Sequence, residues 1–227
     1  MSKTLANLMS SQRVFVILGP YGSGKTEVAV NLAGMLARTG RHTALADMDI
    51  VNPYFRSREK EVIFKAAGIR LIAPDRATWA ADLPAVSPEI FSVIQDDSLT
   101  GVLDVGGDKG SVVLAAFSEA LRRLGPAVWY VINQTRLGAQ SPQAALEQLR
   151  LTETRARLPV TALINNTHLL GETTSGIIMA GAEYSRKLSS LSGLPLIFHG
   201  IEESLASAIQ LPEPIFPLTL LMKRPWE

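Results

Sequence analysis

"VFVILGPYGSGKTE", residues 14–27, runs a short apolar stretch straight into a glycine-rich turn. The turn fits the phosphate-loop pattern G-x-x-x-x-G-K-[ST] without a mismatch, as Gly19, Gly24, Lys25 and Thr26. Its surroundings fit as well. A strand-like run leads in, and Val28, Leu32, Met35 and Leu36 then recur on one helical face, with Gly40 where a C-terminal cap belongs. Glycines let the chain wrap an anion so that backbone N–H groups and a helix N-terminus point at it. In that pattern Lys25 reaches the β- and γ-phosphates and the Thr26 hydroxyl ligates Mg²⁺. Gly19, Tyr21, Gly22, Ser23, Gly24, Lys25, Thr26 and Glu27 are therefore the candidates to hold a nucleotide.

Working outward, short apolar runs alternate with helical patterns to both ends. Strands are expected at 13–19, 42–47, 69–73, 99–105, 127–133, 160–166 and 195–200. Helices are expected near 25–39, 56–67, 88–95, 110–124, 141–156, 174–192 and 202–210. Near-continuous Val, Ile and Leu strands alternating with helices predict an α/β fold, a doubly wound, mostly parallel sheet of about seven strands with helices on both faces. A chain of 227 residues suits one such domain over 1–227. The segment 73–89 carries three prolines without periodicity and is a candidate lid or partner loop. The proline-broken tail "LPEPIFPLTLLMKRPWE" is expected to lie along the surface.

A phosphate loop needs an acidic partner for magnesium at a neighbouring strand end. "LTGVLDVGG" offers Asp104, and Asp104 to Gly107 also reads as D-x-x-G, in which the Gly107 N–H can sense a γ-phosphate. The alternative is a strand-end aspartate capping a turn. "LADMDIVNPYFRSRE" supplies Asp47 and Asp49, two apart and so on one side of an extended chain. One can fix magnesium or its water shell while the other orients an attacking water; a pair of loop carboxylates that bind nothing is the alternative. Arg56 and Arg58 are candidates to contact phosphate, a partner chain or nearby carboxylates.

The order of phosphate loop, D-x-D after the second strand and D-x-x-G after a later one resembles the SIMIBI class of NTPases. Within it the chain resembles the MinD/ParA/Mrp-type ATPases of the CobQ/CobB/MinD/ParA nucleotide-binding domain family, over most of residues 13–200. The resemblance implies Mg-ATP binding, slow hydrolysis and a nucleotide-dependent homodimer. It makes Asp49 the water-orienting carboxylate, with Lys25 as the other catalytic candidate, and Asp47 and Asp104 magnesium-shell residues beside Thr26. MinD-like members carry an extra lysine five residues before the loop lysine that reaches a partner's nucleotide. Here that position is Pro20, which has neither charge nor backbone donor. The missing lysine weakens the dimer inference. "GPYGSGKTE" with "DIVNPYFRSRE" suggests a separate subgroup.

GTP-binding relatives read guanine with the aspartate of N/T-K-x-D. Here "INNTH" puts His168 at the fourth position, which favours ATP over GTP, and Asn166 is a candidate for the adenine edge or a turn residue. In "NQTRLGAQSPQ", Gln134 and Arg136 are candidates to line the cleft. Three functions stay open: an ATP-driven switch or assembly factor, a small-molecule kinase or ligase of the cobyrinate or dethiobiotin synthetase type, and a partner-binding protein that holds nucleotide without turnover. Composition narrows the partners. The absence of cysteines removes iron–sulfur clusters, disulfides and thiolate zinc sites, and a net charge of +1 argues against nucleic acid or a membrane surface. With no secretory pattern and no apolar run of roughly 18 residues, the expected location is the cytoplasm.

Overall fold

The computed structural model describes residues 9–48, 58–73, 89–136 and 138–221. β1 (Val14–Leu18) leads into α1 (Lys25–Arg38), β2 (Thr43–Asp47), α2 (Arg58–Ala66) and β3 (Ile69–Ile72). α3 (Ile90–Gln95), β4 (Thr100–Asp104), α4 (Gly107–Leu114) and α5 (Ser118–Leu124) follow, then β5 (Ala127–Ile132), α6 (Pro142–Ala156) and β6 (Ala162–Asn165). α7 (Ser175–Ser192), β7 (Leu196–Glu202), α8 (Glu203–Ala206) and β8 (Ile215–Leu218) complete the described chain. The strands form one sheet in the order β3-β2-β4-β1-β5-β6-β7-β8, and every pairing is parallel.

Parallel strands need crossover connections, which lay helices on both faces and bury every residue of β1, β2, β4 and β5. β1 shows the consequence. Val14, Val16 and Leu18 pack with Val128, Tyr130, Leu149 and Leu188 on one face, while Phe15 and Ile17 pack with Val28, Leu32 and Trp129 on the other. On that second face an aromatic row crosses the sheet, with Phe15 edge-on to Trp129, Trp129 edge-on to Phe198, and Phe198 tilted against Phe216. Each such pair adds about 0.5–1.5 kcal/mol beyond its burial. Trp129 is thereby a core residue.

The strand pattern read from the sequence is all present, with one addition. Part of the tail enters the sheet: Ile215–Leu218 forms an eighth strand, parallel to β7. Its prolines masked it. The Pro214 carbonyl accepts from His199 N, so alternate residues of β8 face β7 and Pro217 turns its missing donor toward the open edge. The same pairing extends β7 to Glu202, and the helix expected over 202–210 shrinks to Glu203–Ala206. The helix expected over 110–124 begins at Gly107 and is broken by a 3₁₀ turn at Ala115–Phe117, where the Ser118 hydroxyl donates to the Ala115 carbonyl. Among the described residues no helix is long and apolar enough to cross a membrane.

Candidate functional site

β1 is where the chain changes direction across the sheet. β2, β3 and β4 lie on one side of it, and β5 to β8 on the other. In open α/β sheets, ligands bind beyond the carboxyl ends of the strands at such a switch point. The loop 19–24 stands there. Gly19 has φ +146°, and a Cβ on it would come within 2.5 Å of the Val131 carbonyl, so no other residue fits. Gly24 starts α1 in the left-handed region without a side-chain cap, unlike α6 and α7, whose first turns are capped by Ser141 and Thr174.

The loop's carbonyls are held from outside. Lys25 Nζ donates to Pro20 O at 3.0 Å, Arg136 Nε to Gly22 O at 2.8 Å and Asn166 Nδ2 to Ser23 O at 2.9 Å. Pro20 O also accepts from Ser23 N at 3.2 Å. Fixing the carbonyls fixes the peptide planes, and hence where the N–H groups point. Tyr21 at the loop tip is 73% exposed.

On the β4 side two carboxylates close the site. Asp47 and Asp104 end their strands opposite one another in register, and both are buried. The Thr26 hydroxyl donates to Asp104 Oδ2 at 2.7 Å. Hydroxyl and carboxylate oxygens are the donors that suit magnesium, which keeps several waters and binds through one or two carboxylates plus phosphates. Among the described residues no group of three or more His, Asp and Glu side chains stands ready to hold a metal alone. Gly107, at φ +47°, begins α4 three residues beyond Asp104.

The ends of β5 and β6 carry amides and hydroxyls, with Arg136 and, from the end of β7, Glu202 as charges near His168. Asn133 Oδ1 accepts from Thr135 N and Oγ1, and Asn165 Oδ1 from Thr167 N and Oγ1. His168 lies against Gly24 and accepts from Leu170 N through Nδ1, which leaves its proton on Nε2. Burial first, and the Arg136 charge second, push its pKa down to about 4, so it stays neutral at pH 7.

Of the residues singled out in the sequence, the structure brings the loop, Lys25, Thr26, Asp47, Asp104 and Asn166 together. Asn166 holds the loop by its amide. Glu27 faces the C-terminal segment, where its carboxylate accepts from Leu221 N, and Asn31 one turn on bonds both backbone groups of Thr219. Asp49 and Arg56 lie outside the described residues, as do the side chain of Arg58 and residues 74–88 of the expected lid. The latch from Arg136 to Gly22 spans 114 positions of sequence, and no local pattern announces it.

Fold and loop together define a phosphate-loop NTPase of the SIMIBI class. The chain belongs to the CobQ/CobB/MinD/ParA nucleotide-binding domain family, whose model matches residues 15–197. No curated protein matches it significantly in sequence. Among solved structures it is similar to cell division protein FtsY from Thermotoga maritima, at 21% identity and a TM-score of 0.56, over 85% of this chain and 62% of that one. FtsY from Elizabethkingia anophelis in complex with GDP gives 21% and 0.51, over 85% and 57%. The signal recognition particle 54 kDa protein from Aeropyrum pernix in complex with GDP gives 18% and 0.52, over 82% and 40%. This chain thus spans less than two thirds of each of these three, and at such identities the likeness is one of fold.

Proposed function

We propose that the protein is a Mg-ATP-binding switch or assembly factor with slow ATP hydrolysis, folded as one domain. The observation that carries this is the Thr26 hydroxyl on Asp104 at 2.7 Å, with Asp47 opposite Asp104 in register, beside a complete phosphate loop. Lys25 and the loop N–H groups of residues 22–27 bind the phosphates and stabilise the charge that develops on the transferring group. Thr26, Asp104 and Asp47 hold magnesium, whose charge, when bound, neutralises the β- and γ-phosphate oxygens. Asp49, two residues beyond Asp47 in the sequence, is the carboxylate assigned to orient the attacking water, and Gly107 senses the γ-phosphate. A water-orienting carboxylate acts mainly in the transition state, so removing Asp49 affects turnover more than affinity.

ATP is favoured over GTP by His168. It stands where guanine readers place a carboxylate, and it is a neutral ring with its proton on Nε2. Guanine offers N1–H and N2–H₂, which a donor cannot satisfy. Asn166 is the candidate for an adenine edge. The GDP complexes of FtsY and the 54 kDa protein belong to chains 18–21% identical and do not carry nucleotide choice to this one.

Calorimetric titration tests this. Wild type is expected to bind Mg-ATP more tightly than Mg-GTP, and Lys25→Ala to lose about a hundredfold or more in affinity, as removal of a buried charge–phosphate contact implies. Unchanged affinity in Lys25→Ala would remove the phosphate-loop assignment. Phosphate release from ATP without an added acceptor, lost in Asp49→Ala, separates the switch from a kinase or ligase.

A further inference from the structure

The two flanks of β1 differ in chemistry, and on the second the bond to Gly22 uses only one edge of the Arg136 guanidinium. We infer that Arg136 is a nucleobase-contact residue: its guanidinium, latched to Gly22, forms a wall against which the base of the bound nucleotide lies. This rests on the nucleotide reading above.

Three observations carry it. Arg136 follows β5 and holds the phosphate loop directly, with Nε on Gly22 O at 2.8 Å. The contact is close along its length: a Cβ on Gly22 would lie 3.1 Å from Nε and 3.4 Å from Cζ. One edge of a rigid plane is therefore fixed, while no carboxylate among the described residues forms an ion pair with it. A half-buried guanidinium beside an anion site that lacks a counter-ion calls for phosphate oxygens or the π-face of an aromatic ring.

The sheet order chooses between these. Lys25, Thr26, Asp47 and Asp104 gather the phosphate and metal chemistry on and to the β4 side of the loop. A nucleotide whose triphosphate ends there must carry its base to the opposite side, over β5 and β6. The groups against Gly24 on that side are Asn166 and His168, an amide and a neutral imidazole. Neither competes for a phosphate, and both suit the edge and rim of a base. Stacking on a guanidinium is tolerant of base identity, because every base has a π-face. Arg136 then contributes affinity for nucleotides in general, and the choice between ATP and GTP stays with His168.

The test is titration of Mg-ATP, Mg-GTP and magnesium tripolyphosphate, which has no base, into wild type, Arg136→Ala and Arg136→Lys. Arg136→Ala is expected to lose at least about tenfold more affinity for both nucleotides than for tripolyphosphate, the loss for tripolyphosphate reading the latch on Gly22 and the excess reading the stacking contact. Arg136→Lys keeps a cation and a donor but not the plane, so it should fall between, and it remains informative if the alanine variant does not fold. An equal loss for tripolyphosphate would leave Arg136 with the loop latch alone and overturn the proposal. So would nucleotide affinities that do not change. A wild type that binds tripolyphosphate or nothing, and no nucleotide, would instead mark failure of the nucleotide reading itself.

Discussion

The strands on either side of β1 end in opposite chemistry. β2 and β4 end in Asp47 and Asp104, side by side and buried. β5 and β6 run out into Asn133, Asn165 and Asn166, equally buried. An amide both donates and accepts, so these three can be satisfied inside the protein: Asn133 with Thr135 and His168, Asn165 with Thr167 and His199, Asn166 with Ser23. A carboxylate can only accept, and two in register repel each other unless cations are near. One flank is built to be rigid with nothing bound. The other carries the oxygens that the proposed magnesium would use.

The strongest way to break this contrast is Asn165→Ala. The change strips Thr167 N–H and the Thr167 hydroxyl of their acceptor and His199 Nδ1 of its donor, in a site closed to water. Buried groups left without partners cost about 1–3 kcal/mol each, partly relieved by rearrangement, so a loss of about 3 kcal/mol is expected. For a domain of this size that lowers the melting temperature by roughly 6–12 °C. Calorimetric melting checks it; a drop of less than about 2 °C would show that the amide flank is not the rigid half.

Asp47→Asn probes the acidic flank. It removes one of two adjacent buried carboxylates at nearly constant volume. The additional stabilisation by Mg-ATP is expected to shrink, since the proposed magnesium would lose an oxygen ligand. A lower melting temperature without nucleotide would mean that Asp47 is a structural residue.

These differences also mark what the sequence could disclose. The phosphate loop was legible because its chemistry is local: "GPYGSGKT" must be contiguous to wrap an anion, and β1 and α1 frame it in the predicted order. The seven apolar strands were legible because a sheet buried on both faces leaves continuous Val, Ile and Leu runs. β8 was not, since Pro212, Pro214 and Pro217 read as breakers until an edge position accommodates them. Nor were the contacts that set the loop. Arg136 on Gly22, Asn166 on Ser23 and Thr26 on Asp104 join residues 78 to 143 apart, and only the strand order brings them together.

The smallest effect lies where the amide flank meets solvent. His199 is fully buried, and because Asn165 Oδ1 is taken by Thr167 N–H, the Asn165 amide nitrogen faces His199 Nδ1. The ring proton is therefore on Nε2, which donates to Glu213 at 3.0 Å, and Arg186 grips the same carboxylate through two bonds of 2.7 and 2.8 Å. Arg186 first, with the His199 bond assisting, holds the Glu213 pKa down to about 2. A carboxylate depressed on folding stabilises fully above its unfolded pKa, near 4.5, and that contribution is lost as pH falls through about 2. The pair is partly exposed, so screening limits it to about 1 kcal/mol or less. Arg186→Gln should therefore lower the melting temperature by at most about 4 °C at pH 7. The gap to wild type should narrow between pH 4.5 and 2 and close near pH 2. Melting curves across that range decide it: a gap that is constant with pH would assign the loss to packing of the arginine stem, and the charged anchor of the amide flank would be dispensable.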